Sequence, residues 1–333
     1  MTLQEAKVLD YETPPPRPAN YTAFVVEYLG LVLALVGLIV IFGLRSRSFF
    51  SPATFRTIAN QIPATVIVAV GMTYVLIIAG IDLSVGSVLA LSGAVLGVLM
   101  KEYHLSLFVA MAAALGTGLL CGLVNGIVSV RWRLPSFIVT LGMLEIARGL
   151  AHMVTESRTQ YIGSAVGVIA ATSLAGLSLP FIIAILIALL GQLVLSYTVF
   201  GRYMVAIGTN EEAVRLSGVD VRPVKIAVFA IVGALCAVAS IIDTSRLESA
   251  APNAGAGLEL QVIAATVIGG TSLMGGRGSV IRSLFGVMII AVLGAGLATL
   301  GARDETKRVV TGCVIVAAVI LDYYRHRLGR RSR

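Results

Sequence analysis

Charged and amide side chains set inside apolar runs are where this chain could do chemistry. Glu145 and Arg148 stand three residues apart within the apolar run 136–153, on one helical face and close enough to pair. Asn125 lies inside the run 105–130. Asp82 and Ser84 occupy the glycine-flanked turn Gly80-Ile81-Asp82-Leu83-Ser84-Val85-Gly86-Ser87 between two runs. An ionisable group at the centre of a membrane helix costs about 2.5–3.5 kcal/mol on insertion scales, so each needs a partner or an aqueous cavity. Glu145 and Arg148 therefore read either as an ion pair joining two helices or as part of a solute pathway. Asn125 reads either as an interhelical hydrogen-bonding group or as a contact for a hydroxylated ligand. Asp82 and Ser84 suit the freed N–H groups of a turn as well as a pathway. Asp243 and Glu248, near the end of another run, read as solvated charges.

Catalytic chemistry finds little to work with. Histidine occurs only at His104, His152 and His326, near run ends or in the tail, with no HExxH and no Ser–His pairing at useful spacing. The glycine-rich stretch Gly269 to Ser279 lacks the GK[ST] ending of a phosphate-cradling loop, so the chain is not expected to hydrolyse ATP. Cys121, Cys236 and Cys313 lie far apart in apolar runs and suggest neither a metal site nor a disulfide framework. No catalytic residue, metal ligand or bound cofactor is expected.

The elements that must position these groups follow from composition. Of 333 residues, 57% are apolar and only 13% charged, with mean hydropathy +0.95. A soluble domain carries about 25% charged residues, so the chain reads as an all-α integral membrane protein. Its net charge of +8 suits loops facing an anionic membrane surface rather than nucleic acid. Apolar runs long enough for membrane helices lie at roughly 24–44, 62–80, 84–100, 105–130, 136–153, 181–199, 226–243, 259–274, 281–300 and 308–323, about ten spans. The stretch 163–179 is poorer in Leu, Ile and Phe and is not counted.

Charge asymmetry supports ten. With both termini cytoplasmic, fifteen Lys and Arg fall in inner segments, among them Arg131, Arg133, Arg202, Arg215, Arg222 and Lys225, against nine in outer segments. An eleventh span would reverse the later loops against the positive-inside rule. Residues 1–20 read as a disordered cytoplasmic tail rather than a cleavable signal peptide, being polar and rich in proline. Residues 21–324 form one transmembrane domain, and 325–333 a basic cytoplasmic tail.

The loop 200–225 is the most informative polar segment. Thr209-Asn210-Glu211-Glu212 fits a capping box, with Thr209 as N-cap and Glu212 reaching back to its N–H. Arg215 favours the last turn, Gly218 a left-handed stop, and Pro223 the start of the next helix. The spacing predicts an isolated helix over 210–217. So short a helix is marginal in water and needs something to dock on, and Ala213 and Leu216 offer apolar contact.

The loop Ile207-Gly208-Thr209-Asn210-Glu211-Glu212-Ala213-Val214-Arg215-Leu216-Ser217-Gly218-Val219 resembles the cytoplasmic loop of ribose-type sugar ABC-importer permeases. So do GIDLSVGS at 80–87, GTSLMGGRGS at 270–279 and LPSFIVTLGMLEIARGLA at 134–151, and the resemblance runs from about Phe24 to Asp322. It implies a multi-pass permease subunit in a bacterial inner membrane, paired with a second copy. A cytoplasmic ATPase that uses ATP and Mg would drive it, and a periplasmic or lipid-anchored sugar-binding protein would deliver a monosaccharide or similar polyol. The loop helix would be the coupling helix, with Glu211, Glu212, Arg215, Leu216 and Gly218 docking the ATPase. Asp82, Ser84, Asn125, Glu145, Arg148 and Glu259 would line the pathway. The chain departs from the family's GYELDAIAA-like stretch, having Gln261 in place of the acid in Gly257-Leu258-Glu259-Leu260-Gln261-Val262-Ile263-Ala264-Ala265, and it carries Asp243 where small or apolar residues are common. The alternative is a secondary transporter driven by an ion gradient, with Asp82, Glu145 and Arg148 as its relay. A channel or intramembrane enzyme is a third class.

Overall fold

The computed structural model describes residues 21–174, 177–303, 305–314, 316–317 and 320. The tails expected over 1–20 and 325–333 lie outside the described residues. In chain order the elements begin with α1 (Tyr21–Arg45), α2 (Pro52–Ile77), α3 (Val85–Lys101), α4 (Leu107–Arg131), α5 (Ser136–Val154), β1 (Gln160–Tyr161) and α6 (Ser164–Ala171). They continue with β2 (Ser173–Leu174), β3 (Leu177–Ser178), α7 (Leu179–Tyr197), α8 (Val199–Leu216), α9 (Arg222–Leu247), β4 (Ser249–Ala250), α10 (Leu258–Ile268) and α11 (Val280–Thr299). A further helical stretch occupies 305–314. Seven of these helices, α1, α2, α4, α5, α7, α9 and α11, are long and apolar enough to cross a membrane. The protein is an all-helical multi-pass bundle, with two short antiparallel ribbons, β1 with β4 and β2 with β3, as the β structure among the described residues.

Apolar sequence all round a helix means burial all round it. The helix α2 obeys this, with Val66 to Ile78 buried without a break at the centre of the core. Two polar bridges tie it outward. The Tyr74 hydroxyl donates to the Gly191 carbonyl on α7 at 2.6 Å, and Thr73 Oγ1 lies 2.8 Å from Ser283 Oγ on α11. The closest helix pair, α4 and α9, meets through Gly118, Gly122 and Gly126, spaced four apart on one face of α4. A Cβ on Gly118 would strike the Gly233 carbonyl, and one on Gly122 the Phe229 carbonyl. Small residues at this spacing let membrane helices approach backbone to backbone. On the outward faces of α1, α4 and α7, Leu33, Leu44, Phe108, Leu120 and Leu190 are exposed, as suits a surface solvated by lipid.

The stretch 163–179 does not cross. Its helix α6 has 8 residues, about 12 Å at 1.5 Å per residue, and it lies against α9. There Ser245 Oγ donates to the Val166 carbonyl at 2.7 Å and accepts the Ala170 N–H at 2.9 Å.

The run 259–274 also departs from the expected span. Its helix α10 has 11 residues, about 16 Å, against a hydrocarbon core of about 30 Å. The segment before it runs along α3, with Ala250 beside Gly97 and Gly255 against Gly86. Those two α3 glycines are about 16 Å apart along the helix axis. Residues 251–257 therefore carry irregular backbone down the side of a membrane helix, and the short α10 follows. Gly255 and Gly257 stand at positive φ. The hydropathy pattern misses this because Leu273 and Met274 keep the run apolar past Ile268, while Gly270, at φ +82°, has already ended the helix.

Candidate functional site

The 78–84 turn between α2 and α3 gathers distant parts of the chain. From α5, Ser136 Oγ accepts the Ile81 N–H at 2.9 Å, and Thr140 Oγ1 accepts the Leu83 N–H at 3.0 Å. The Thr140 hydroxyl also lies within donating distance of the Ile81 carbonyl, at 3.2 Å. Asp82 Oδ1 accepts both the Ser84 N–H at 2.8 Å and the Ser84 hydroxyl at 2.6 Å. Asn125 Nδ2 donates to Ser84 Oγ at 2.9 Å. Asp82, Ser84 and Asn125 are thus brought together, each at most 2% exposed. Their bonds are spent on one another and on the turn. The Asn125 carbonyl oxygen is left buried without a partner.

The same turn end meets two further stretches. The Ile77 carbonyl accepts the Gly276 N–H at 2.8 Å, and a Cβ on Gly208 would strike both groups. Gly275 and Gly276 have φ of +83° and +74°, and a Cβ on Gly276 would lie 2.6 Å from Thr209 Oγ1. Four segments quoted above for their residues, at 80–87, 134–151, 207–219 and 270–279, therefore converge on one closely packed knot. Their glycines are required because backbone touches backbone there.

Beyond the knot, the loop helix differs in part from its expectation. It is a separate short helix, as expected, because α8 is two helices that meet at a kink where Asn210 leaves helical geometry at φ −162°, ψ 95°, but its cap and its pairing differ. Asn210, not Thr209, is the cap, its Oδ1 accepting the Ala213 N–H at 3.0 Å. The Thr209 hydroxyl instead donates back to the Val205 carbonyl at 2.8 Å, extending the preceding helix. Both residue types cap well, so one position of ambiguity was inherent. With the cap moved by one, Glu212 is no longer at N3, and it pairs with Arg215 at 3.2 Å. The stop at Gly218 is as expected: φ is +86°, with Gly218 N–H bound to Arg215 O and Val219 N–H to Val214 O.

The five loop residues divide into two faces. Glu211, Arg215 and Gly218 line a cavity of about 520 Å³ with Arg133, Arg222 and Lys225. Lys225 Nζ reaches Glu211 at 2.9 Å, a pair not foreseen because fourteen residues separate them. Glu212 and Leu216 do not face this cavity, and Leu216 is 81% exposed.

Around the irregular segment 251–257, Arg148 finds partners other than Glu145. It forms no described ion pair with Glu145. Its Nη1 donates to the carbonyls of Pro252 at 2.6 Å and Ala254 at 2.9 Å. One turn on, His152 Nε2 meets Asn253 Oδ1 at 3.2 Å. A guanidinium answers carbonyls that a helix would have bonded internally, which is the demand irregular backbone makes at membrane depth. Glu145 and Glu259 contribute attractive charge near Arg148. Glu259 sits in the first turn of α10 with its carboxylate beside Gly86, while Glu145 is exposed on α5. Asp243 is likewise paired rather than simply solvated, with Arg246 Nη2 at 2.7 Å. Among the described residues, no group of three His, Cys, Asp or Glu side chains could hold a metal ion.

Residues 54–319 match the family model described as branched-chain amino acid transport system, permease component. The chain is 38% identical over 306 residues to a ribose import permease of Haemophilus influenzae, covering 90% of this chain and 94% of that one. It is 39% identical over 305 residues to a ribose import permease of Escherichia coli K12, again covering 90% and 94%. A fructose import permease of Rhizobium meliloti is 35% identical over 308 residues, covering 90% and 85%. No solved structure gives a significant match.

Proposed function

The chain belongs to the family of branched-chain amino acid transport system permease components, and from that premise we propose that it is the membrane subunit of an ATP-binding cassette importer of a monosaccharide or similar polyol. The observation that carries this reading is the likeness to ribose import permeases over nine-tenths of the chain. The protein is a multi-pass inner-membrane protein. About ten crossings, both termini in the cytoplasm and one transmembrane domain over 21–324 complete the reading. In it, α3, the segment 251–257 with α10, and the helix beginning at 305 join the seven long helices.

A cytoplasmic ATPase binds ATP and Mg and supplies the work, and this chain holds no cofactor. The kinked end of α8 is the coupling helix. Glu212 and Leu216 present its docking face. Glu211, Arg215 and Gly218 hold it in place, through Lys225 and the left-handed stop. Push or pull on this helix reaches Gly208, and through Gly208 the Ile77 carbonyl and the Asp82 turn, because no side chain lies between them to absorb the motion. Asp82, Ser84 and Asn125 keep that turn in one shape. Glu145, Arg148 and Glu259 face the pathway. An exposed carboxylate on a membrane helix among Leu141 and Ile146 is incompatible with lipid, and it is explained by an aqueous path shared with a second copy of the chain. A separate binding protein delivers the sugar on the outer side.

The test is a gentle-detergent pull-down of the tagged chain from its own membranes. Recovery of an ATPase with the wild type, and its loss with Glu212→Lys at unchanged membrane insertion, is the expected result. A chain that recovers no ATPase, yet takes up solute along an ion gradient, would sink the reading.

A further inference from the structure

We propose that the cavity enclosed by α3, α9 and the segment 249–255 binds a neutral polyhydroxylated solute of monosaccharide size. This rests on the importer reading and adds to it a holding site within one copy of the chain. The cavity measures about 310 Å³, at the small end of the range of about 300–1,000 Å³ for ligand pockets. It suits a single sugar ring rather than an oligosaccharide.

The hydroxyls on its α9 wall lack the back-bond that several others in this protein make. A Ser or Thr in a membrane helix normally donates to the carbonyl four residues back. Thr73, Thr117, Thr155 and Thr198 all do so here, at 2.6 to 2.9 Å. Ser240 and Thr244, one turn apart on α9, do not. Ser240 is 1% exposed and its Oγ is buried with no hydrogen-bond partner. Both hydroxyls converge on Gly93: a Cβ there would lie 2.7 Å from Ser240 Oγ and 3.1 Å from Thr244 Oγ1. With glycine at 93, both hydroxyls pack against α3 at the edge of the cavity. An unsatisfied buried hydroxyl costs about 1–3 kcal/mol, so Ser240 calls for a partner, and Thr244 stands beside it on the cavity wall.

The remaining lining completes a set suited to vicinal hydroxyls. Asp243 uses Oδ1 on Arg246, at 2.7 Å, and keeps Oδ2 as an acceptor. Asn253 uses Oδ1 on His152, at 3.2 Å, and keeps its amide N–H groups as donors. Because Arg246 neutralises Asp243, the site has no net charge to reward a cation or an anion. Leu89, Ala90 and Ala254 offer apolar surface to the C–H face of a ring. The wall that closes the cavity is the irregular segment itself, and broken backbone at membrane depth is where transporters place their substrate sites.

The experiment uses the wild-type permease in lipid nanodiscs, with D-ribose and D-fructose as probes followed by saturation-transfer NMR. The same chain is reconstituted with its ATPase and binding protein for uptake. Saturable binding that weakens roughly tenfold in Ser240→Ala/Thr244→Val, two hydroxyl bonds being lost, and persists in Thr244→Ser, is expected. A diazirine-tagged ribose on the wild-type chain gives a readout free of variant folding. Competable label within 240–255 supports the site, and label confined elsewhere overturns it. ATP-driven uptake by the wild type with no binding to the permease, or with binding unchanged in the double variant, overturns the site and leaves the importer reading standing. Uptake that follows an ion gradient and not ATP, with no binding of either sugar to the permease, overturns both.

Discussion

The turn 78–84 and the segment 251–257 both place non-helical backbone among membrane helices, yet they are held by different means. In the turn, neutral hydroxyls from α5 and the Asp82 side chain answer the N–H groups at close range, and glycines at 208, 275 and 276 press backbone onto backbone. In the segment, one guanidinium reaches across from α5 to two carbonyls, and a cavity lies along the other wall. Gly257 shows the contrast within one residue type. It has φ +83°, as Gly275 does, but an added Cβ there meets nothing within 4 Å. Close contact on every side resists displacement, whereas a few long-armed contacts beside open space permit it. The turn is packed throughout, whereas the segment is packed on α3 as far as Gly255, whose backbone meets Gly86, and has open space at Gly257.

This contrast breaks first at Gly276. A valine there combines a β-branched side chain at φ +74° with overlap onto Thr209, at a cost of about 3–5 kcal/mol from strain and overpacking together. We expect little monodisperse protein after detergent extraction. Gly257→Ala, strained only by its φ, is expected to cost about 1–2 kcal/mol and to extract normally. Similar yields for the two would mean that the turn is no tighter than the segment.

Arg148→Met comes next. It leaves two carbonyls without their donor, for about 2–4 kcal/mol, lowering the temperature at which half the protein stays monodisperse. Arg148→Lys is expected to recover part of that loss, since an ammonium keeps the charge but not the planar fork. Thr140→Val is the mildest. It removes one acceptor from the Leu83 N–H, for about 1–2 kcal/mol by the same measurement. A loss for Arg148→Met no greater than for Thr140→Val would show that the two segments are held equally firmly.

Much of the candidate site was legible because its signals are local. Gly218 stops a helix for reasons contained within six residues. The glycine-flanked Asp82 turn announces a break between two apolar runs. What failed to show was partnership. Glu145 and Arg148 have the spacing of an ion pair, but the stronger claim on Arg148 comes from two carbonyls more than a hundred residues away. Ser136 and Thr140 stand in a quoted motif without a visible task, because their task is to bond a turn some fifty-five residues earlier. Ser240 and Thr244 look like ordinary small residues until their missing back-bonds are seen.

The sequence by itself determined that this is a membrane-embedded helical protein, because transfer of apolar side chains out of water depends on composition and run length, not on which run meets which. It also determined where the loop helix stops, since the left-handed glycine at 218 is decided within a turn of backbone. Only the tertiary structure decided that four distant glycine- and hydroxyl-bearing stretches form one knot, that 259–274 is a short helix behind an irregular segment, and that Arg148 serves carbonyls. Those outcomes rest on hydrogen bonds and backbone contacts between residues remote in the chain, and no local spacing encodes which of several competent partners will arrive.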